Sequence, residues 1–271
     1  MHCTNGGSDA TVLSWIAEHQ PAYYRCISRS SLIETRADEE IFWVCSGRPS
    51  FFNTVVETRT TPRRLDNLMD EAIGFFSDRG IRTFAWRVEA NDRPFDLRER
   101  LIERGFRQLE VGPTMTLDLA MLEGRLPARN LDIREVEGAS AAADWAEVVV
   151  RSFGFSEGMS DFHAAWLVTL ADESALRSFV GYQAGISVVS AQAFRQNDAV
   201  ALYWVATRPR VRRRGLGTAI THAVLDDAKR TGARRALLDA NGPAAAMYER
   251  IGFQPRGTAV RYLWTADASD L

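Results

Sequence analysis

"VATRPRVRRRGLGTAI", residues 205–220, decides how this chain is read. Five arginines fall within 208–214, and Gly215 and Gly217 follow at once. Ahead lies "AVALYWVAT" (199–207), a strand-like apolar run; behind, Ala219, Ile220, Ala223, Val224 and Ala228 make one helical stripe. A strand feeding a glycine turn that opens a helix is a ready anion site, because the first helical turn leaves N–H groups unpaired and its dipole favours negative charge. Glycines let an anion approach the main chain, and arginines add forked donors suited to phosphate. Rossmann spacing is not met, since Ile220 stands where a third glycine belongs, and no Gly-Lys-Ser/Thr follows to make a P-loop.

Working outward, "SFVGYQAG" (178–185) and "ISVVSAQAF" (186–194) read as strands with turns at Gly185 and Asn197-Asp198, which makes an antiparallel meander. "AAADWAEVVVRSF" (141–153) and "SDFHAAWLVTLADE" (160–173) read as amphipathic helices. Downstream come a strand, "RRALLDA" (234–240), a short helix, "GPAAAMYERIGF" (242–253), and a last strand, "TAVRYLW" (258–264). Strands followed by alternating helix and strand predict an α/β fold, a mixed sheet with helices packed on it.

The first half repeats this grammar. "PRRLDNLMDEAIGFFSDRGIRTFAWRV" (62–88) is turn, helix, glycine and strand; "LRERLIERGF" (97–106) mirrors 244–253, and "TMTLDL" (114–119) mirrors the last strand. Matching Gly105 to Gly252 sets Leu101 against Tyr248. Matching Gly80 to Gly232 sets Thr60, Arg63 and Leu65 against Arg212, Gly215 and Gly217. Either the first half is a copy that lost its glycines and tyrosine, or two unrelated domains share common punctuation. The polar, proline-bearing "LPARNLDIREVEG" (126–138) sets the expected boundary, giving domains 1–128 and 129–271.

The net charge of −2 across 271 residues argues against a general nucleic-acid binder, leaving the arginine run as a local site for a small anion. No apolar run approaches a membrane span, and the opening residues lack a secretory pattern. Cys3, Cys26 and Cys45 have no metal-ligand spacing and read as reduced thiols of a cytoplasmic protein. His163 and His222 read as helix-surface residues, and no metal site is expected.

Arg212-Arg213-Arg214-Gly215-Leu216-Gly217 resembles motif A of the GNAT superfamily of N-acetyltransferases, Arg/Gln-x-x-Gly-x-Gly/Ala, and "NGPAAAMYERIGF" (241–253) is similar to its motif B. The resemblance implies two tandem GNAT-like folds, each a mixed, mostly antiparallel twisted sheet flanked by helices, the first degenerate. It implies acetyl-CoA as cosubstrate, with the pyrophosphate on the amides of Arg213, Arg214, Gly215, Leu216, Gly217 and Thr218. Arg212 and its neighbours would answer the phosphates, and Val205, Ala206 and Thr207 would pair with the pantetheine arm, as strand addition does. Asn241 reads as a helix N-cap that, in the family, also often contacts the arm.

By the same resemblance Tyr248 is the general acid that protonates the departing thiolate. The alternative for it is a packed helix aromatic. The glutamate base of some members falls at or near Ala201, which cannot accept a proton; Tyr203, Glu157, Asp161, His163, Asp198 and Asp239 remain as titratable candidates, with the base unassigned. The expected reaction is acetyl transfer to a primary amine of a small molecule by a monomer or homodimer, without nucleic acid, membrane or metal. The alternative is a catalytically silent CoA-binding module. Phe153, Phe155, Phe162 and Trp166 form either core or an apolar acceptor pocket.

Overall fold

Local signals in the chain place the elements, and long-range pairing then sorts them into two units. The computed structural model describes residues 9–89, 91–124, 130–156 and 158–266. Along the chain run α1 (Asp9–Ile27), β1 (Glu34–Ala37), β2 (Ile41–Cys45), β3 (Thr54–Thr58), α2 (Pro62–Asp78), β4 (Thr83–Arg87), α3 (Leu97–Glu103) and β5 (Arg107–Asp118). The second half continues with β6 (Asp132–Glu135), α4 (Gly138–Phe153), α5 (Met159–Thr169), β7 (Leu176–Gln183), β8 (Ile186–Gln196) and β9 (Ala199–Thr207). It ends with α6 (Leu216–Arg230), β10 (Arg235–Asp239), α7 (Gly242–Ile251) and β11 (Gln254–Thr265). The expected boundary at 128/129 falls within 125–129, outside the described residues. The compact units are Met1–Val111 with Thr258–Leu271, and Gly112–Gly257.

In the first unit β1, β2 and β3 pair antiparallel in sequence, β3 and β4 pair parallel, and β4 pairs antiparallel with β11. In the second, β6 to β9 pair antiparallel in sequence, β9 and β10 pair parallel, and β10 pairs antiparallel with β5. The two sheets therefore follow one plan, and the closing strand of each comes from the other half of the chain. Residues 114–118 close the second sheet and residues 261–265 the first. Equivalence of Leu101 and Tyr248 holds at the backbone: Leu101 O accepts the N–H of Phe106 at 2.9 Å, and Tyr248 O that of Phe253 at 3.0 Å.

The core of the first unit lies under α2, where Leu65, Leu68, Met69 and Phe76 pack on Val55 and Trp86, and Phe76 stacks on Phe84 at 4.2 Å. In the second unit Ile220, Val224 and Leu225 of α6 and Tyr248 of α7 bury against Val200, Leu202 and Leu238 of the sheet. Each fully buried side chain of this size contributes about 1.5–3 kcal/mol. None of the residues of this cluster belongs to α4 or α5. Those helices cover the other face of the second sheet, where Trp145 Nε1 donates to Ala191 O at 3.2 Å.

Candidate active site

The site grows from one irregularity in β9. Gln192 faces Tyr203 and Ser190 faces Ala206, so Trp204 and Val205 together oppose Ala191. Trp204 takes φ +51°, the left-handed region, as an extra residue in a bulged strand does. On its other edge β9 pairs with β10 only from Ala199 to Ala201. Past Ala201 the two parallel strands part, and among the described residues no strand pairs with that edge of β9 over 202–207. The result is an opening between strand ends with main-chain groups along one wall.

Below the opening the chain makes a 3-10 turn, Pro209–Val211, and enters α6 through Gly215 at φ +77°. That left-handed N-cap suits glycine. The carbonyl of Gly215 takes the N–H of Ala219 at 2.9 Å, while the N–H groups of the first helical turn have no acceptor inside the helix. A Cβ on Gly217 would stand 3.3 Å from Met247 Sδ and 3.5 Å from Thr207 Oγ1. Gly217 thus marks where the first turn of α6, the end of β9 and α7 converge, and any side chain there would enter the space between them. This cradle fits an extended anionic carrier.

The arginines divide by role. Arg212 donates from Nε to Thr207 O at 3.0 Å and from Nη2 to Ser152 O at 2.8 Å, pinning the turn to the end of α4. Arg208 donates to Ser187 Oγ at 2.8 Å, and burial lowers its pKa. Arg210, Arg213 and Arg214 are exposed, and among the described residues no carboxylate pairs with them. Leu216 is core, so its contribution to the turn is its amide. Asn241 is exposed and caps α7, its Oδ1 accepting the N–H of Ala244 at 3.2 Å.

Tyr248 is 6% exposed, edge-on to Phe253 at 5.7 Å, and burial alone pushes its hydroxyl well above the usual phenol range. It stays protonated through neutral pH. On the opposite face of the sheet, Trp204 is the hub of an aromatic cluster. Trp145 lies 6.0 Å from it, Phe153 5.7 Å, His163 5.5 Å and Trp166 6.4 Å, between ring centroids. Phe155 stacks on His163 at 5.5 Å and sits half-buried, and Phe153 is exposed. Sequence reasoning missed Trp204, whose only signal was its bulk, next to Tyr203, in a run of otherwise small aliphatic side chains.

Two expectations are corrected. His163 is fully buried and His222 nearly so, and burial lowers the pKa of both. His163 sits one helical step from Trp166 on the packed face of α5, and its Nδ1 meets Met159 O at 2.8 Å, which settles part of its polar demand locally. Of the other candidate bases, Asp161 is exposed on α5 and Glu157 lies outside the described residues. Asp198 sits at the far end of β9, paired with Arg235 at 2.7 Å. Among the described residues no group of three His, Cys, Asp or Glu could hold a metal, and no helix is long and apolar enough to cross a membrane.

The mixed sheet, with its open strand pair and its glycine turn into α6, has the GNAT fold. Residues 142–253 match the Acetyltransferase (GNAT) family model. No curated protein matches the chain. Among solved structures, a GCN5-related N-acetyltransferase from Kribbella flavida superposes with TM-score 0.68 at 17% identity, covering 94% of this chain and 98% of that one. A tandem GNAT protein from the clavulanic acid biosynthesis pathway gives 0.60 at 13% identity, covering 100% and 98%. A GCN5-related N-acetyltransferase from Sphaerobacter thermophilus gives 0.57 at 17%, covering 85% and 82%. These likenesses concern the fold, and the tandem neighbour shares the two-unit plan.

Proposed function

We propose that the second unit transfers an acetyl group from acetyl-CoA to a primary amine of a small molecule, directly and without a covalent enzyme intermediate. The observation that carries this reading is the convergence at Gly217, where the first turn of α6, the end of β9 at Thr207 and Met247 of α7, the residue before Tyr248, come together. The pyrophosphate would rest on the amides from Arg213 to Thr218, with Arg210, Arg213 and Arg214 as counter-charges. The pantetheine arm would add along Val205, Ala206 and Thr207, as a strand does. Arg212 serves by holding the turn in shape. Asn241 fixes the start of α7 and, with its exposed amide, stands where the arm passes.

When bound, the carrier supplies an activated thioester. Tyr248, kept protonated by burial, donates to the leaving sulfur as it gains charge. Trp204, Phe155 and Phe153, the half-buried and exposed members of the aromatic cluster, would line the acceptor side and favour an amine with an apolar or aromatic body. Calorimetry with acetyl-CoA, followed by thiol release with a panel of amines, tests the proposal. Amine-dependent release is expected. Tight binding with no release across the panel would leave a silent CoA-binding module instead.

A further inference from the structure

We infer that Asp239 is the base that takes the acceptor amine's proton, and that Thr114 holds its carboxylate in place. The inference rests on the acetyl-transfer reading above. It begins from the face on which Asp239 lies. Ala236 and Leu238 of β10 belong to the core under α6, so strand alternation puts Leu237 and Asp239 on the other face. Its register partner on β5 is Thr114, buried at 8%, whose Oγ1 donates to Asp239 Oδ1 at 2.7 Å.

Position along the strand is the second observation. The ladder between β9 and β10 ends at the pair Ala201–Leu237. Asp239 is the next residue on that face of β10 beyond the last pair with β9, so it stands where the two strands begin to part. Trp204 packs on Trp145 and Trp166 of α4 and α5, the helices on that same face. Tyr248 lies with α6 on the opposite face. A thioester in the gap would therefore have a proton donor on one side and a carboxylate on the other. Ala201 leaves β9 without an acceptor group, and Asp239 supplies one from the neighbouring strand. Asp198 is paired with Arg235 at the far end of β9, Asp161 is exposed on α5, and His163 is sealed from solvent.

The step balances. The free amine's lone pair forms the C–N bond at the thioester carbonyl, and one N–H proton passes to the Asp239 carboxylate. The C–S bond breaks, and the sulfur takes the Tyr248 proton. Solvent then takes the proton from Asp239 and restores that of Tyr248, leaving an amide and free CoA.

The test uses the full chain with acetyl-CoA and 2-phenylethylamine. Asp239→Asn should lower kcat about 100-fold or more and leave acetyl-CoA affinity by calorimetry within a factor of two or so. Tryptophan-fluorescence titration of the amine into the CoA-loaded variant should show binding weakened about tenfold, from loss of the charge partner. Asp239→Glu should restore part of the rate, and Thr114→Val should lower kcat about tenfold with carrier affinity unchanged. If 2-phenylethylamine is not acetylated, slow hydrolysis of acetyl-CoA by the protein gives the same comparison, with water as the group that loses the proton. Turnover by Asp239→Asn within threefold of the parent overturns the assignment and leaves the acetyltransferase reading standing. A parent protein that binds the carrier and releases no thiol under either condition sinks both.

Discussion

The parallel strand pair occurs twice in this molecule, open in one unit and filled in the other. In the second unit β9 is bulged at Trp204–Val205 and parts from β10 after Ala201. In the first, β3 is also bulged, with Phe42 facing Glu57 and Trp43 facing Val55, and its ladder with β4 spans only Thr54 and Val55. The scaffold of the opening is thus kept. There, however, the chain has closed it with its own backbone. Arg93 N donates to Thr58 O at 2.8 Å, Thr60 N donates to Arg93 O at 3.2 Å, and Arg59 and Arg93 form a parallel bridge. Asp92 adds a second tie: its Oδ1 accepts the N–H of Thr58 at 2.9 Å and its Oδ2 that of Glu89 at 2.7 Å. At the helix entry Pro62 occupies the first position of α2, which removes an N–H that an anion would need. The same edge of the fold is thus filled by residues 92–93 in the first unit and, among the described residues, left unpaired over 202–207 in the second.

This contrast predicts one acetyl-CoA per chain. Gly217→Val should weaken binding about 100-fold, roughly 2.8 kcal/mol, because its side chain would have to displace Met247 and Thr207 from the cradle. Calorimetric stoichiometry reads both points. Two sites in the parent, or one site of undiminished affinity in the variant, would mean that the first unit binds the carrier despite its filled edge.

A smaller effect separates the helices that follow. Leu101 and Tyr248 hold the same backbone position, yet only Tyr248 has a proton to give. Tyr248→Phe keeps the ring against Phe253 and should lower kcat about 10- to 100-fold with acetyl-CoA affinity unchanged. Because burial raises the Tyr248 pKa, the parent should show no loss of rate from this group up to mildly alkaline pH. A phenylalanine variant as fast as the parent would return Tyr248 to the core role that Leu101 plays.

The sequence discloses the parts of this comparison that are local. Period-two runs bounded by Gly185 and Asn197-Asp198 mark the meander, and the glycines at 215 and 217 mark the helix entry, since each needs only its neighbours to be read. The exchange of closing strands was not legible: residues 114–119 and 258–264 read as strands, but periodicity does not say which edge a strand joins. Arg212 read as the first residue of the motif, answering the phosphates, and only the fold shows it donating to the Thr207 and Ser152 carbonyls. The burial of His163 depended on tertiary packing between α5 and β9. The pairing of Asp92 and Arg93 with the edge of β3 at Thr58 and Thr60 is long-range, and nothing in their local order announces it.

The tie made by Asp92 offers the finest test. Burial, offset by the two N–H bonds, raises its pKa from an ordinary 3.8 to about 6. Between these values the unfolded chain is ionised while the folded unit holds a proton, so the stabilisation is complete below about pH 4 and disappears as pH rises through about 6. The slope cannot exceed about 1.4 kcal/mol per pH unit for one proton. Hydrogen exchange in peptides covering 54–60 and 91–96, corrected for intrinsic rates, should show protection of the Thr58 and Arg93 amides falling from pH 4 to pH 6.5. Asp92→Asn cannot titrate and should flatten that trend, while exchange in α6 of the second unit should not respond. A parent with level protection across this range would mean that Asp92 is ionised in the fold throughout, and that the two N–H bonds outweigh the cost of burying its charge.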